Sequence, residues 1–449
     1  MMEPLLIVDI APVSEGNRWY TAIRGKNLKG ETKILKVYGC KPKFRTTRDK
    51  SELPDWSLLP AVKSVKYCDK TTIQGEPLME VTVHTPWNIR EVRDFFYPHY
   101  SADVYWASLV RWIYGWRAVI EVDTDKDWDN LRPVNIHDSK VEANEFNLDL
   151  FYFDIETEDC LDTETPEGRV VSIAFYDEKS GIHEVGTIAP TSERLVVSFL
   201  TQKETLESVV EMTADTIPPI DADKVKVTNF DYADLDEAEE KLLCWWHEYN
   251  PDVIAGQNIK HYDIPYLINR SKICQKNGWK TPDLRYMKGL PFFDTKIAYA
   301  EQVQGAAATT GAASLSWMAM NTLGYGKVPR NRITDLMEKD PMMLAVYNIW
   351  DNVVAARCME KLDLLPFYIM KTAYHNSTLH KSHSNMMLVE DMMAHLLWDE
   401  NIIMPSAKVV ADNMPEGGIE QGGFVMEAPV GVWRNAFELD NSMEYPSAI

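Results

Sequence analysis

The chain has 449 residues, with 46 Lys and Arg against 68 Asp and Glu, so its formal net charge is −22. That length suggests about two to four domains, and the charge excludes a protein whose whole surface binds nucleic acid while leaving room for a local basic strip. The six cysteines (Cys40, Cys68, Cys160, Cys244, Cys274 and Cys358) form no C-x-x-C pair, which argues against a zinc site or a disulfide framework, and no apolar run is long enough to span a bilayer.

The start of the chain has neither a basic stretch nor a signal-like apolar run, which predicts a cytoplasmic location, or the host-cell cytoplasm for a viral protein. Residues 1–145 read as a separate α+β unit. Strands are predicted over Leu5–Ile10, Thr32–Tyr38 and Met79–His84, split by turn residues such as Gly30 and Gly75. Helices are expected near Asn88–Phe96 and Trp106–Tyr114. The cluster Tyr105, Trp106, Trp112, Tyr114 and Trp116 reads as core rather than as a base-stacking platform. Lys41, Lys43, Arg45, Arg48 and Lys50 make one basic strip, read as a solvated loop with a DNA contact as the alternative.

From Leu148 strands alternate with helices. Leu148 to Thr157 reads as a buried strand ending in two carboxylates, Asp154 and Glu156, which leave the same face of an extended chain. Carboxylates that close repel unless a cation lies between them, and a hard divalent ion taking oxygen ligands answers that need. The alternative is a solvated acidic strand end. Val170–Tyr176 and Gly181–Ile188 read as a hairpin extending the sheet, and the polar stretch 191–232 as an insertion on its rim. A helix is expected from Asp234 to Pro251, then a short strand over Val253–Gly256. Asp263 follows at the junction of strand and helix, with the helix opening at Pro265. In α/β sheets ligands bind at such junctions, although Asp263 could serve simply as an N-cap. Ser314 to Gly324 is a capped helix with a glycine stop. Asp340-Pro341 opens a long helix to about Leu362, on which Tyr347 and Asp351 are neighbours on an apolar stripe. An aspartate there is costly to bury unless paired or bound to metal.

In order, these residues spell D-I-E (Asp154, Glu156), N-I-K-H-Y-D (Asn258, Tyr262, Asp263) and Y-N-I-W-D (Tyr347, Asp351). The set resembles the three exonuclease motifs of family B DNA polymerases of the archaeal and phage type, with Tyr262 where Phe is commoner. The resemblance extends over nearly the whole chain. Gln421-Gly422-Gly423-Phe424-Val425 is similar to the family's linker, with Glu420 at its tyrosine position. Asp440 to Ser447 is similar to polymerase motif A, with Met443 and Glu444 replacing the usual residues.

The resemblance implies an α/β and α+β multidomain protein: an N-terminal domain (1–145), an RNase H-like (DnaQ-type) exonuclease domain with a mixed sheet (146–364), a helical return to the N-terminal domain (365–415) and an incomplete palm (416–449). It implies 3′→5′ proofreading by two-metal phosphodiester hydrolysis with two Mg²⁺ or Mn²⁺ ions. Asp154 would bridge both ions, Glu156 and Asp351 would complete one site, Asp263 would reach the second through water, and Tyr347 would orient the attacking water. Asn258 and Tyr262, with Gly422 and Gly423, would touch DNA. Asp440 would bind polymerase metal and Tyr445 would act as the steric gate against ribonucleotides. The interval from Asp263 to Asp294 is short for the family, which predicts a reduced strand-separating hairpin. The later palm motifs and the fingers motif are absent, so polymerisation is expected to need a second polypeptide with palm, fingers and thumb. A gene split, an intein junction or a truncated reading frame accounts equally for the end at Ile449. The expected partners are primer-template DNA with a single-stranded 3′ end and a sliding clamp, with no membrane. Two other functions remain open: a scaffold subunit with a silent exonuclease, and a stand-alone RNase H-like nuclease.

Overall fold

A computed structural model describes residues 2–413 except 50, 54, 247–248, 250, 277, 279–290, 303–313 and 330–331. Nine strands, β1 (Met2–Glu15), β2 (Arg18–Asn27), β3 (Thr32–Val37), β4 (Lys43–Thr46), β5 (Val62–Thr71), β6 (Pro77–Val83), β7 (His99–Tyr100), β8 (Val119–Asp123) and β9 (Ile136–Asp138), form two sheets. Their orders are β3-β2-β1-β8-β9 and β5-β6-β4-β7. Helices α1 (Asn88–Val92) and α2 (Trp106–Tyr114) pack with them, and Trp106, Trp112 and Trp116 join Leu5, Ile23 and Phe96 in one core. Tyr105, at 60% exposure, stays outside that core.

The basic strip is neither a solvated loop nor an open DNA contact at its centre. Arg45 lies in β4 opposite Glu80 of β6, is 1% exposed, and donates to Glu80 at 3.1 Å. The facing carboxylate compensates the buried guanidinium, which a charge count along the sequence does not reveal.

A second set of elements follows: β10 (Leu150–Thr157), β11 (Val170–Asp177), β12 (Ile182–Thr187), α3 (Glu193–Thr201), α4 (Lys203–Val209), β13 (Val225–Asn229), α5 (Leu235–Trp246), β14 (Val253–Gly256), α6 (Asp263–Lys276), β15 (Phe292–Asp294), α7 (Thr295–Gln302), α8 (Leu315–Leu323), α9 (Ile333–Lys339), α10 (Pro341–Lys361) and α11 (Leu364–Tyr374). The strands make one mixed sheet in the order β13-β12-β11-β10-β14-β15. In it β11 runs antiparallel to both its neighbours and the remaining pairs are parallel.

Helix α10 crosses one face, packing against Leu150, Tyr152, Ala174 and Val185. Helices α5 and α6 cover the other face over Phe153, Ile155, Ile173 and Phe175. Asp340 caps α10 by accepting from Met343 N at 3.2 Å, and Pro341 sits in its first turn, where a missing N–H costs nothing. At Gly256 the strands approach so closely that a Cβ would lie 2.5 Å from the Phe153 carbonyl oxygen.

Two boundaries differ from the sequence expectation. The stretch 191–232 is integral to the fold, not a rim insertion: α3 and α4 bury Val196, Leu200 and Leu206, and β13 adds an edge strand. Val196, Leu200 and Leu206 turn inward from two short helices, while Leu195 beside them stays exposed. Helix α6 opens at Asp263, two residues before Pro265.

Helix α12 (Asn385–Asp399) and the chain after it return to the first set of elements. Ala394, Trp398 and Ile403 enter that core, Ile402 bridges Thr71, and Pro405 bridges Tyr100. The N-terminal and mixed sheets are tied by Lys26, whose Nζ lies 2.6 Å from Asp149 Oδ2 and 2.6 Å from Asp252 Oδ2. Contacts divide the chain after Ser406, and the second unit is described only through helix α13 (Ala407–Asp412) and Asn413. The palm segment 416–449, with Gly422, Gly423, Asp440 and Tyr445, lies outside the described residues, as does most of the interval between α6 and β15. No described helix is long and apolar enough to cross a membrane.

Candidate active site

In β10, Asp154 stands opposite Ala174 and Glu156 opposite Ser172 of β11. Strand alternation sends both acids to the face crossed by α10, while Phe153 and Ile155 point into the other core. Tyr347 and Asp351, one turn apart on α10, reach the same place. One ligand oxygen from each of Asp154, Glu156 and Asp351 falls in a group whose members all lie within 4.8 Å of one another. The helix is held there by Asn348, whose amide donates to Ser172 Oγ at 2.9 Å.

Asp263 stands outside that trio but against it. It is the first residue of α6, is buried, and its Oδ1 accepts the N–H of Ile155 at 3.1 Å. The turn before it begins at Asn258, held at φ +65°, whose carbonyl accepts from His261 N and Tyr262 N at 3.0 Å each. Tyr262 Oη donates to the Cys160 carbonyl at 2.7 Å and lies 2.8 Å from Thr157 Oγ1. Asp154, Glu156, Asn258, Tyr262, Asp263, Tyr347 and Asp351 all line one cavity of about 520 Å³.

The electrostatics of this cavity are unbalanced. Burial pushes the Asp154 carboxyl well above the usual carboxylate range, and Asp263, Glu156 and Asp351 add repulsion in that order. Burial likewise raises Asp263 to about 7; the Ile155 N–H opposes that shift, and Asp294 adds to it. Asp154 Oδ2 has no hydrogen-bond partner among the described residues. Four acids with an orphaned buried oxygen fit a hard divalent ion, since all the donors are carboxylate oxygens and neither His nor Cys belongs to the trio.

Lys327 is the residue that sequence reasoning missed. Its ammonium lies 2.5 Å from Asp351 Oδ2, donates to Tyr347 Oη at 2.5 Å, and sits 4.7 Å from the centre of the Tyr347 ring. Trp350 Nε1 fixes this segment from α10 by donating to the Gly326 carbonyl at 3.1 Å. No spacing ties a lone lysine to acids on other elements. The one available signal was the demand of several converging carboxylates for a cation.

Comparison with known proteins finds similarity over part of this region. Residues 118–315 match the sequence profile of the DNA polymerase family B exonuclease domain, a span that holds Asp154, Glu156 and Asp263 but ends before Lys327, Tyr347 and Asp351. DNA polymerase II of Escherichia coli (strain K12) is 26% identical over 230 residues, 47% of this chain and 28% of that protein. The family B DNA polymerase from the hyperthermophilic archaeon Pyrobaculum calidifontis shares the fold with a TM-score of 0.62 over 90% of this chain and 51% of that one, at 16% identity. The chain thus spans 28% of the first relative's length and about half of the second's. Residues 118–315 are thus similar to the exonuclease domain of the family B DNA polymerases, and the chain's mixed α/β architecture shares the fold of such a polymerase.

Proposed function

We propose that this chain removes nucleotides from the 3′ end of DNA by phosphodiester hydrolysis, as the proofreading part of a family B DNA polymerase. The reading rests on one observation above all: Asp154, Glu156 and Asp351, from a strand end and a distant helix, bring ligand oxygens within 4.8 Å of one another. In this reading they would hold one of two divalent ions, Mg²⁺ or Mn²⁺, and Asp263 beside them would help to hold the other. Such ions, when bound, supply Lewis acidity to the scissile phosphate and acidify the attacking water.

The chain's own residues do the rest. Lys327 donates to Tyr347 Oη, so the phenol keeps its own proton to donate and can orient a water. The same ammonium offsets part of the charge on Asp351. Asn258 and Tyr262 line the cavity on the side of the turn into α6, where they meet the terminal nucleotides. A paired 3′ end must melt before it can enter, at a cost of a few kcal/mol that is least for a mismatch. That difference makes the hydrolysis an editing step. Primer extension belongs to palm, fingers and thumb, carried by the rest of a longer chain or by a second polypeptide.

A 5′-labelled single-stranded oligonucleotide incubated with the protein and Mg²⁺ should shorten from its 3′ end, and EDTA should stop the reaction. No shortening with either Mg²⁺ or Mn²⁺ contradicts the proposal.

A further inference from the structure

The turn from β14 into α6 is clasped by the start of α7, through groups the mechanism above does not use. Asp294, fully buried, accepts from Asn258 N and Lys260 N at 3.3 Å each. The same carboxylate caps α7 by accepting from Lys296 N at 3.1 Å and Ile297 N at 3.2 Å. Thr295 Oγ1 donates to Gln257 Oε1 at 2.9 Å. The backbone of Asn258 is therefore fixed in the left-handed region, which asparagine tolerates better than most residues.

Its side chain is fixed as well. Lys296 Nζ lies 3.1 Å from the Asn258 amide oxygen. An ammonium has three donors and no acceptor, so it meets the oxygen of an amide and never the nitrogen. The usual ambiguity between the two ends of an asparagine amide is thereby removed at this position. Asn258 lines the cavity, and its amide nitrogen has no hydrogen-bond partner among the described residues.

We infer that Lys296 is a positioning residue for Asn258, locking its amide so that the NH₂ end is offered to the bound strand as a donor to a non-bridging phosphate oxygen near the 3′ end. This rests on the exonuclease reading. A proofreading site must accept every base, and contacts to phosphate carry no sequence information. The neighbouring ammonium also polarises the amide and strengthens it as a donor.

The test uses the full chain and a fluorescent, mixed-sequence single-stranded oligonucleotide. Its Kd is measured in EDTA, and KM and kcat in Mg²⁺. Lys296→Met should raise Kd and KM about tenfold, the loss of roughly one hydrogen bond to a charged group, with kcat within about twofold of wild type. Lys296→Arg should restore most of the affinity. Asn258→Gly, which tolerates the positive φ but lacks the amide, should weaken binding equally, and Lys296→Met should add nothing in that background. Asn258→Asp keeps an oxygen for Lys296 but offers no donor, so it should bind at least as poorly as Asn258→Gly. Wild-type affinity in Lys296→Met or Asn258→Asp, or an undiminished Lys296→Met effect on top of Asn258→Gly, overturns the inference while leaving the exonuclease reading intact. A wild-type chain that neither binds nor shortens the oligonucleotide overturns both.

Discussion

Asp263 Oδ1 accepts the backbone N–H of Ile155, the residue between Asp154 and Glu156, at 3.1 Å. This bond joins the head of α6 to the carboxylate strand across 108 residues of sequence. It fixes the distance between two motifs and gives a buried acid an acceptor role that does not need its charge. Asp263→Asn keeps that acceptor and removes the charge, whereas Asp263→Ala leaves the Ile155 N–H buried without a partner, which costs about 1–3 kcal/mol. The folded carboxyl titrates near 7 against an ordinary 3.8. Its contribution to stability is therefore fully present below pH 3.8 and is lost as pH rises through 7. Metal-free wild type should lose melting temperature between pH 5 and 8 relative to Asp263→Asn, and saturating Mg²⁺ should reverse the order by binding the folded state. Equal slopes for the two proteins in EDTA would contradict this.

Lys327 contacts both Asp351 and Tyr347, so Lys327→Met should separate metal binding from turnover. Removing a positive charge beside the carboxylates should tighten Mn²⁺ binding several-fold, as read by calorimetry. Turnover of single-stranded DNA should nonetheless fall by about 10–100-fold, because Tyr347 loses the contact that orients it. Weaker Mn²⁺ binding together with slower turnover would mean that the lysine merely supports the fold of the site.

The carboxylate strand, the long helix with Tyr347 and Asp351, and the junction at Asp263 were all legible in the sequence because each depends on local period and capping. Asp340 before Pro341, for instance, marks the start of α10 as plainly in the sequence as in its hydrogen bond to Met343. Lys327 and the clasp made by Asp294 were not legible. The partners of Lys327 lie on α10, and Asp294, besides its local capping of α7, reaches the Asn258 turn across 36 residues of sequence. The same blindness made Arg45 look solvated, since Glu80 faces it only across a strand pair. The stretch 191–232 was misread because α3 and α4, nine and seven residues long, are too short to show a clear helical period.

Gly256 sets how closely β14 can approach the carboxylate strand. Gly256→Ala would place a Cβ 2.5 Å from the Phe153 carbonyl oxygen, backbone that cannot swing away. The substitution should cost about 1–3 kcal/mol of stability. Activity should fall even at temperatures where the protein stays folded, because the displaced strand carries Asp154. Denaturant unfolding and digestion assays on the same sample check both effects.

His183 stacks on Tyr176 with ring centres 4.3 Å apart, and burial pushes its pKa down to about 3. The unfolded chain binds a proton there between pH 6.5 and 3 and the folded chain does not, so stability present above 6.5 is lost as pH falls through that window. His183→Phe keeps a flat ring and removes the titration. It should match wild type at pH 7.5 and exceed it by on the order of 2 kcal/mol at pH 4.5. Parallel acid-unfolding curves would rule this out.

The account stands on Asp154, Glu156 and Asp351 acting together as a metal-holding set. Its most direct test is digestion of a 5′-labelled single strand in Mg²⁺ by the variant carrying Asp154→Ala and Glu156→Ala, with circular dichroism to show that the fold persists. The account predicts that 3′-end shortening disappears while the spectrum and melting transition remain. A folded variant that still digests at the wild-type rate would contradict it.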